Sequence, residues 1–360
     1  MPIVAPFGRR FRHKLPTVCP RSIGILLIGC AVLAGCATPQ VIVPLGSADD
    51  GQRQMNVLPR LDRYHAIMAD GYRLPLRVWS GSASPSIVVL GLHGFNDYSH
   101  AFAPLASDLA RRGIVTYAAD QRGFGASALP GRWHGDQALT EDLRTLIALL
   151  RARHPQARIY VAGESMGGAV AMLAAARRPL PIDGLILIAP AVWSRDTMPW
   201  YQRVALRAAM QTLPWLKLTG EGVRLSPSDN REMLLAMSRD PLAIKATRVD
   251  ALWGVTDLMD GARASAVHLP TPLLLLYGEH DEIIPRNAFC RLIGDLPADR
   301  DGLRLVLYRR GWHMLPRDRQ GARVRADIAA WLGDPTAPLP SGEETPIDGY
   351  RTKALCAGLD

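Results

Sequence analysis

Ser165 stands in the run Gly163-Glu164-Ser165-Met166-Gly167, and a serine hydroxyl attacks a carbonyl once a base takes its proton. Gly-x-Ser-x-Gly alone arises by chance in about one chain in ten of this length at ordinary glycine usage, so the setting decides. Ile159-Tyr160-Val161-Ala162 runs into the motif with the β-branched and aromatic content of a strand, and an alanine-rich stretch from Met166 to Arg178 leaves it as a helix. A nucleophile held in a strained turn between strand and helix needs that setting. Side chains at positions 163 and 167 would crowd the neighbouring strand and helix. Ser165 then lies at a helix N-terminus, where free N–H groups and the dipole favour a developing oxyanion.

The base must come from the nine histidines. In this setting the partners follow in the order serine, acid, histidine, which leaves His268, His280 and His313. His268 precedes a strand. His280 and His313 both follow strands, at the carboxyl edge where open α/β sheets bind ligands. His313, in Arg310-Gly311-Trp312-His313-Met314-Leu315, follows the last strand and leaves Asp281 to supply the acid from the preceding strand-end loop. Glu282 is the reserve acid, and His280 reads as a polar loop neighbour. An oxyanion hole needs two N–H groups aimed at one point. Met166, directly after the nucleophile, is one candidate; Phe95, in Leu92-His93-Gly94-Phe95-Asn96-Asp97, is the other. His93 reads as a loop anchor, and Asp120 and Arg122 as a charge-assisted pair fixing their own loop.

The elements that must position these residues alternate. Tyr64–Ala69 and Tyr72–Trp79 read as a hairpin turning at Asp70-Gly71. Ile87–Leu92, Ile114–Ala119, Arg158–Ala162, Leu185–Ile188, Leu273–Tyr277 and Leu303–Tyr308 read as strands, several of them unbroken apolar runs suited to burial on both faces. Helices are expected at Ala101–Arg112, Leu139–Arg153, Met166–Arg178, Asn287–Ile293 and Asp318–Leu332. Strand alternating with helix implies a mostly parallel sheet covered on both sides. The interruption from about Ala191 to His268 exceeds what one crossover needs and reads as a helical cap, with its tryptophans holding the cap together. Residues 334–360, rich in Pro and Gly, are expected to be loose.

The formal charge of +9 would suit nucleic acid, but Arg9, Arg10, Arg12, Lys14 and Arg21 lie before residue 36, where no acid occurs. Later arginines are scattered among acids, so no basic face for nucleic acid is implied. Those N-terminal cations precede an uncharged apolar run, residues 23–35, shorter than a membrane span needs. The run ends in Leu33-Ala34-Gly35-Cys36, which resembles the lipobox of bacterial lipoproteins. That resemblance implies a leader at 1–35, acylation at Cys36 and a tether over 36–62. It also implies an envelope protein facing the periplasm; Ala37 after the cysteine resembles outer-membrane sorting. Of the remaining cysteines, Cys290 reads as a buried small hydrophobe, although an oxidising compartment would permit a bridge to Cys356. No spacing suits a metal, and nothing sets an oligomeric state.

The body of the chain resembles the monoacylglycerol lipase and lysophospholipase branch of the α/β-hydrolases. The likeness is carried by His93-Gly94, Asp120-Gln121-Arg122-Gly123-Phe124-Gly125-Ala126-Ser127, Gly163-Glu164-Ser165-Met166-Gly167-Gly168, Gly278-Glu279-His280-Asp281, Gly311-Trp312-His313 and Arg239-Asp240-Pro241-Leu242. It implies an eight-stranded core in two parts (63–191 and 269–333), a helical cap over 192–268, and hydrolysis of single-chain lipid esters without metal or organic cofactor. A small amphiphilic ester would be the substrate. An esterase, thioesterase or peptidase with a non-lipid substrate, and a silent ligand-binding lipoprotein, are the alternatives.

Overall fold

The computed structural model describes residues 57–220, 225–297 and 301–358; the expected leader, Cys36 and most of the tether lie outside them. In chain order the first elements are β1 (Arg60–Leu61), β2 (His65–Ile67), β3 (Arg73–Trp79), β4 (Ile87–Leu92), α1 (Ala103–Ala110), β5 (Val115–Ala119) and α2 (Asp136–Arg153). They continue with β6 (Arg158–Glu164), α3 (Met166–Arg177), β7 (Gly184–Ile188), α4 (Trp200–Thr212), β8 (Lys217–Thr219), α5 (Arg231–Arg239), β9 (Ala246–Arg248) and α6 (Val249–Ala264). The last are β10 (Leu273–Gly278), α7 (Arg286–Asp295), β11 (Leu303–Tyr308), α8 (Gly321–Gly333) and α9 (Tyr350–Cys356).

The central sheet runs β1-β2-β3-β5-β4-β6-β7-β10-β11. Its last six strands in that order pair in parallel, and β1, β2 and β3 add an antiparallel edge. The expected hairpin is β2–β3, and Gly71 takes the left-handed φ of 79° that its turn requires. The sheet has nine strands where eight were expected, because the two-residue β1 pairs with the outer side of β2.

Side chains alternate across this sheet with period two. Val88, Leu90, Ile159, Val161, Leu185, Leu187, Leu273 and Leu275 point to one face, where α2, α3, α6 and α7 cover them. Val89, Tyr160, Ala162, Ile186, Ile188, Leu274 and Leu276 point to the other, under α1 and α8. Burial on both faces is why these strands read as unbroken apolar runs.

Four expectations change. The expected cap, 192–268, includes α6, yet Val255, Leu258, Met259 and Ala262 of α6 belong to the sheet core. The inserted structure is therefore α4, the two-stranded ribbon β8–β9, and α5. Trp200 and Trp215, expected to hold the cap together, are 69% and 60% exposed. Residues 334–358, expected to be loose, are docked. Thr345 N–H donates to Leu305 O at 2.9 Å, and Leu307 N–H to Glu343 O at 3.3 Å, so the tail lies along the open edge of β11. Cys290 is half-buried and joined to Cys356 by a disulfide, which links α7 to α9. Free edge groups of β11 and the apposed cysteines supply the anchors that composition alone does not reveal.

Candidate active site

β6 runs through Glu164, and α3 begins at Met166. Ser165 joins them with φ 52° and ψ −115°, a strained conformation for a residue with a side chain. Its N–H donates to Ile188 O at 2.9 Å, and its carbonyl accepts from Ala169 N at 3.1 Å and Ala191 N at 2.9 Å, so the turn is held from both sides. The flanking glycines are required by contact. A Cβ on Gly163 would fall 2.5 Å from Gly168 N, and one on Gly167 would fall 2.1 Å from Leu92 O.

The expected acid, Asp281, and the expected base, His313, lie on the loops after β10 and β11. Asp281 Oδ2 and His313 Nδ1 are 2.8 Å apart, and both residues are buried. Asp281 Oδ1 accepts from Ile283 N at 2.8 Å and Ile284 N at 2.9 Å, which fixes the carboxylate and leaves Oδ2 for the imidazole. The two loops are stitched together as well: His280 N–H donates to Gly311 O at 3.0 Å, and Glu279 N–H to Tyr308 O at 3.0 Å. Burial pushes the His313 imidazole down, but the Asp281 carboxylate overcomes this and leaves its pKa above the ordinary value. Glu282, the reserve acid, instead accepts from Ser226 N at 2.6 Å, and the His280 ring stacks on Trp312.

Arg317, in the 3₁₀ turn Leu315–Arg317 after His313, brings the histidine loop to the serine turn. Its Nη2 donates to Glu164 Oε1 at 2.9 Å, and its Nη1 lies 2.7 Å from Asp97 Oδ2. The guanidinium is almost fully buried, and those two carboxylates hold its pKa above the ordinary value. Sequence reasoning missed this group. The partners stand far apart along the chain, and a lone arginine after a histidine carries no pattern.

The loop after β4 packs directly on the serine. A Cβ on Gly94 would fall 3.3 Å from Ser165 Cβ, so the backbone of His93-Gly94-Phe95 passes against the nucleophile position. His93 is the loop anchor its position suggests. Gln121 N–H donates to its Nε2 at 2.9 Å, which leaves Nδ1 to carry the proton and donate to Gly94 O at 2.8 Å. Burial lowers its pKa and keeps it neutral. Phe95 packs edge-on against Phe124. Met166, fully buried at the first position of α3, has an N–H with no carbonyl a turn earlier in its helix.

Asp120 and Arg122 do not pair with each other. Asp120 accepts from Ser99 N at 2.9 Å and Ala126 N at 2.8 Å. Arg122 instead bridges Asp142, with Nε–Oδ2 at 2.6 Å, and Asp70, with Nη1–Oδ2 at 2.6 Å, and it lies over the Tyr72 ring. Neighbours in sequence lost to carboxylates on α2 and in the hairpin turn because a guanidinium can face several acceptors at once.

The inserted segment is tied to both loops of the site. Tyr98 OH donates to Asp240 Oδ2 at 2.6 Å, Ile244 N–H to Asn96 O at 2.9 Å, and Met314 N–H to Pro227 O at 3.0 Å. Ser228 Oγ donates to Asp318 Oδ1 at 2.6 Å, while Trp312 N–H donates to Asp318 Oδ2 at 2.7 Å. A cavity of about 620 Å³ opens beside α5, lined by Met233, Ala236 and Met237 and by Asp97 and Arg317, but not by Ser165 or His313.

A strained serine at a strand-to-helix turn, with a loop-borne histidine–aspartate pair joined to that turn through Arg317 and Glu164 on a mostly parallel sheet, fits one class: an α/β-hydrolase fold and a serine hydrolase. The particular family follows from comparison. The Hydrolase_4 profile, described as serine aminopeptidase, S33, matches residues 83–320, and the chain belongs to that family. It is 30% identical over 270 residues to a monoacylglycerol lipase of Mycolicibacterium smegmatis, covering 73% of this chain and 93% of that protein. It is 27% identical over 275 residues to the monoglyceride lipase of Rattus norvegicus, covering 75% and 89%. Among solved structures, the monoacylglycerol lipase of Paleococcus ferrophilus superposes with a TM-score of 0.61 at 24% identity, covering 72% of this chain and 98% of that one. A soluble variant of monoglyceride lipase from Saccharomyces cerevisiae superposes with 0.63 at 19% identity, covering 80% and 99%.

Proposed function

We propose that the protein hydrolyses carboxylic esters of single-chain lipids, of the monoacylglycerol or lysophospholipid kind, with Ser165 as nucleophile, His313 as base and Asp281 as the acid that orients it. The observation that carries the reading is the 2.8 Å Asp281–His313 contact, on a loop joined through Arg317 and Glu164 to the turn that holds Ser165. Ser165 Oγ adds to the ester carbonyl as its proton passes to His313 Nε2. The N–H groups of Phe95 and Met166 hold the resulting oxyanion. Collapse expels the alcohol, which takes the proton from His313. Water, deprotonated by the same imidazole, then releases the fatty acid and restores Ser165.

The lipid substrate is supported by the monoacylglycerol and monoglyceride lipases among the relatives, and by an inserted segment that exposes Trp200, Tyr201, Val204, Trp215 and Leu218. Attachment to the cell envelope through acylated Cys36, facing the periplasm, completes the proposal. The basic, apolar and Leu-Ala-Gly-Cys sequence of residues 1–36 supports it, and the Cys290–Cys356 disulfide suits an oxidising compartment. The family's serine aminopeptidase description favours a peptidase as the second reading.

A fluorophosphonate probe should label the wild type and leave Ser165→Ala unlabelled. Equal labelling of both would overturn the assignment of the nucleophile. Turnover of monoacylglycerols should exceed turnover of short-chain chromogenic esters and aminoacyl anilides. A preference for the anilides would establish the peptidase, and ligand binding without turnover a silent lipoprotein.

A further inference from the structure

The family match ends at residue 320, yet the chain continues into a tail that folds back on the acid loop. Asp281 sits in the short segment between β10 and α7. Both flanks of that segment are held by the same terminal helix. On one side Arg351 Nη2, from the first turn of α9, donates to Glu279 Oε1 at 2.6 Å. On the other, Cys356 at the end of α9 is bonded to Cys290 in α7, with the two Cα atoms 5.5 Å apart. Arg351 also donates to Leu307 O at 2.7 Å, so it spans the loop after β10 and the strand that leads to His313. α9 is itself fixed in place. Thr352 Oγ donates to Pro346 O at 2.7 Å, and the preceding residues pair with β11, where Arg304 Nε also donates to Glu344 Oε1 at 2.7 Å.

We infer that α9 is a disulfide-locked clamp on the Asp281 loop, with Arg351 and the Cys290–Cys356 bridge as positioning groups that hold the carboxylate against His313. The inference rests on the triad proposed above. Its physical reason is the geometry at Asp281. The Oδ1 bonds to Ile283 N and Ile284 N and the Oδ2 contact to His313 require the segment to keep one shape between the end of β10 and the start of α7, and α9 is attached on both sides of it. Opening the disulfide removes the covalent tie to α7 and leaves the Asp281 segment joined to α9 through the Arg351–Glu279 ion pair, whose side chains are partly exposed and whose strength solvent reduces. The bridge thereby makes the acid's placement depend on oxidation of the chain.

The test compares full-length wild type, oxidised and after reduction with a phosphine, with Cys356→Ser and Arg351→Ala, all well below their melting temperatures. Amide exchange at Ile283 and Ile284, whose N–H groups bond to Asp281 itself, reads the clamp without any turnover. It should quicken about tenfold on reduction, as for a segment that gains local opening, while β6 and β7 keep their protection. The acid limb of kcat/KM should move to lower pH as the base loses its carboxylate. Besides Asp281, the charged groups that act most on His313 are Glu164 and Arg317, and both stand on elements the clamp does not touch. Cys356→Ser should behave like the reduced wild type and ignore the phosphine. If that variant does not fold, reduction of the folded wild type carries the comparison. Unchanged exchange at Ile283 and Ile284 with an unmoved acid limb, and only a lower melting temperature, would reduce α9 to a staple and overturn the clamp. An oxidised wild type that the fluorophosphonate probe does not label at Ser165 would overturn the triad instead, and exchange would still decide the clamp.

Discussion

At His313 two effects oppose each other, and their balance sets the working range of the site. Burial disfavours the imidazolium, while Asp281, 2.8 Å away, favours it more strongly, so the group titrates above ordinary imidazole. A general base must be neutral, so activity should rise with pH through that raised value. Stability runs the other way. A histidine with a raised folded pKa contributes fully below its unfolded pKa, and the contribution fades as pH climbs through the folded one. Asp281→Asn should therefore lower kcat by roughly 10³–10⁴-fold, as loss of the orienting carboxylate does in such triads. It should move the acid limb down in pH and remove part of the fall in melting temperature across the same window. An unchanged limb in the variant would mean that another acid, with Glu282 first to examine, supports the histidine. The meeting of Asp281 and His313 was legible in the sequence because each follows a strand at the same sheet edge, as Ser165 does, so order and placement pointed the same way. Arg317 was not. Its partners are Glu164 at the end of β6 and Asp97 in the loop after β4, and only the folded sheet brings them together.

The unit made by β6, the serine turn and α3 shows how an element can be specified by what it must avoid. α3 approaches β4 so closely that any side chain at 167 meets the carbonyl of Leu92, whereas a Cβ at 168 meets Pro190 Cβ at 3.0 Å and Gly163 O at 3.2 Å. Backbone at 2.1 Å cannot yield without moving a strand; contacts near 3 Å yield by tenths of an ångström. Gly167→Ala should lose more than about 4 kcal/mol, enough to prevent recovery of folded enzyme. Gly168→Ala should lose about 1–3 kcal/mol, in the range of mild overpacking, and remain active. Chemical denaturation and probe labelling of both variants check this, and a Gly167→Ala protein as stable as wild type would refute the close approach. Elements of this kind were readable because a strand covered on both faces is apolar throughout. The boundary of the insertion was harder. α6 carries Trp253 and Met259 like the segments before it, and composition alone does not show that its buried face belongs to the sheet.

The whole molecule joins a core built to family pattern with two ends that the pattern does not supply. The C-terminal end looked loose because Pro and Gly lower helix and strand propensity. What fixes it is long-range: a cysteine pair with a sequence separation of 66 and an exposed sheet edge. The N-terminal end is proposed to carry lipid at Cys36. Acyl chains contribute ~0.8 kcal/mol per buried methylene, so under that proposal three of them would hold the protein at the bilayer and keep the proposed amphiphilic substrate near. Tethering changes concentration and leaves chemistry alone. Cys36→Ser, expressed with the leader intact, should therefore appear in the aqueous fraction while wild type sediments with membranes. Its kcat/KM on a water-soluble short-chain ester should match detergent-solubilised wild type within about twofold, since no new contact to the active site is lost. On monoacylglycerol presented in vesicles, its rate should fall at least about tenfold, because the effective concentration supplied by the tether is gone. Equal partitioning of both proteins would show that Cys36 bears no anchor. Equal partitioning changes without the vesicle-specific loss would show that the anchor addresses the protein and does not feed its active site.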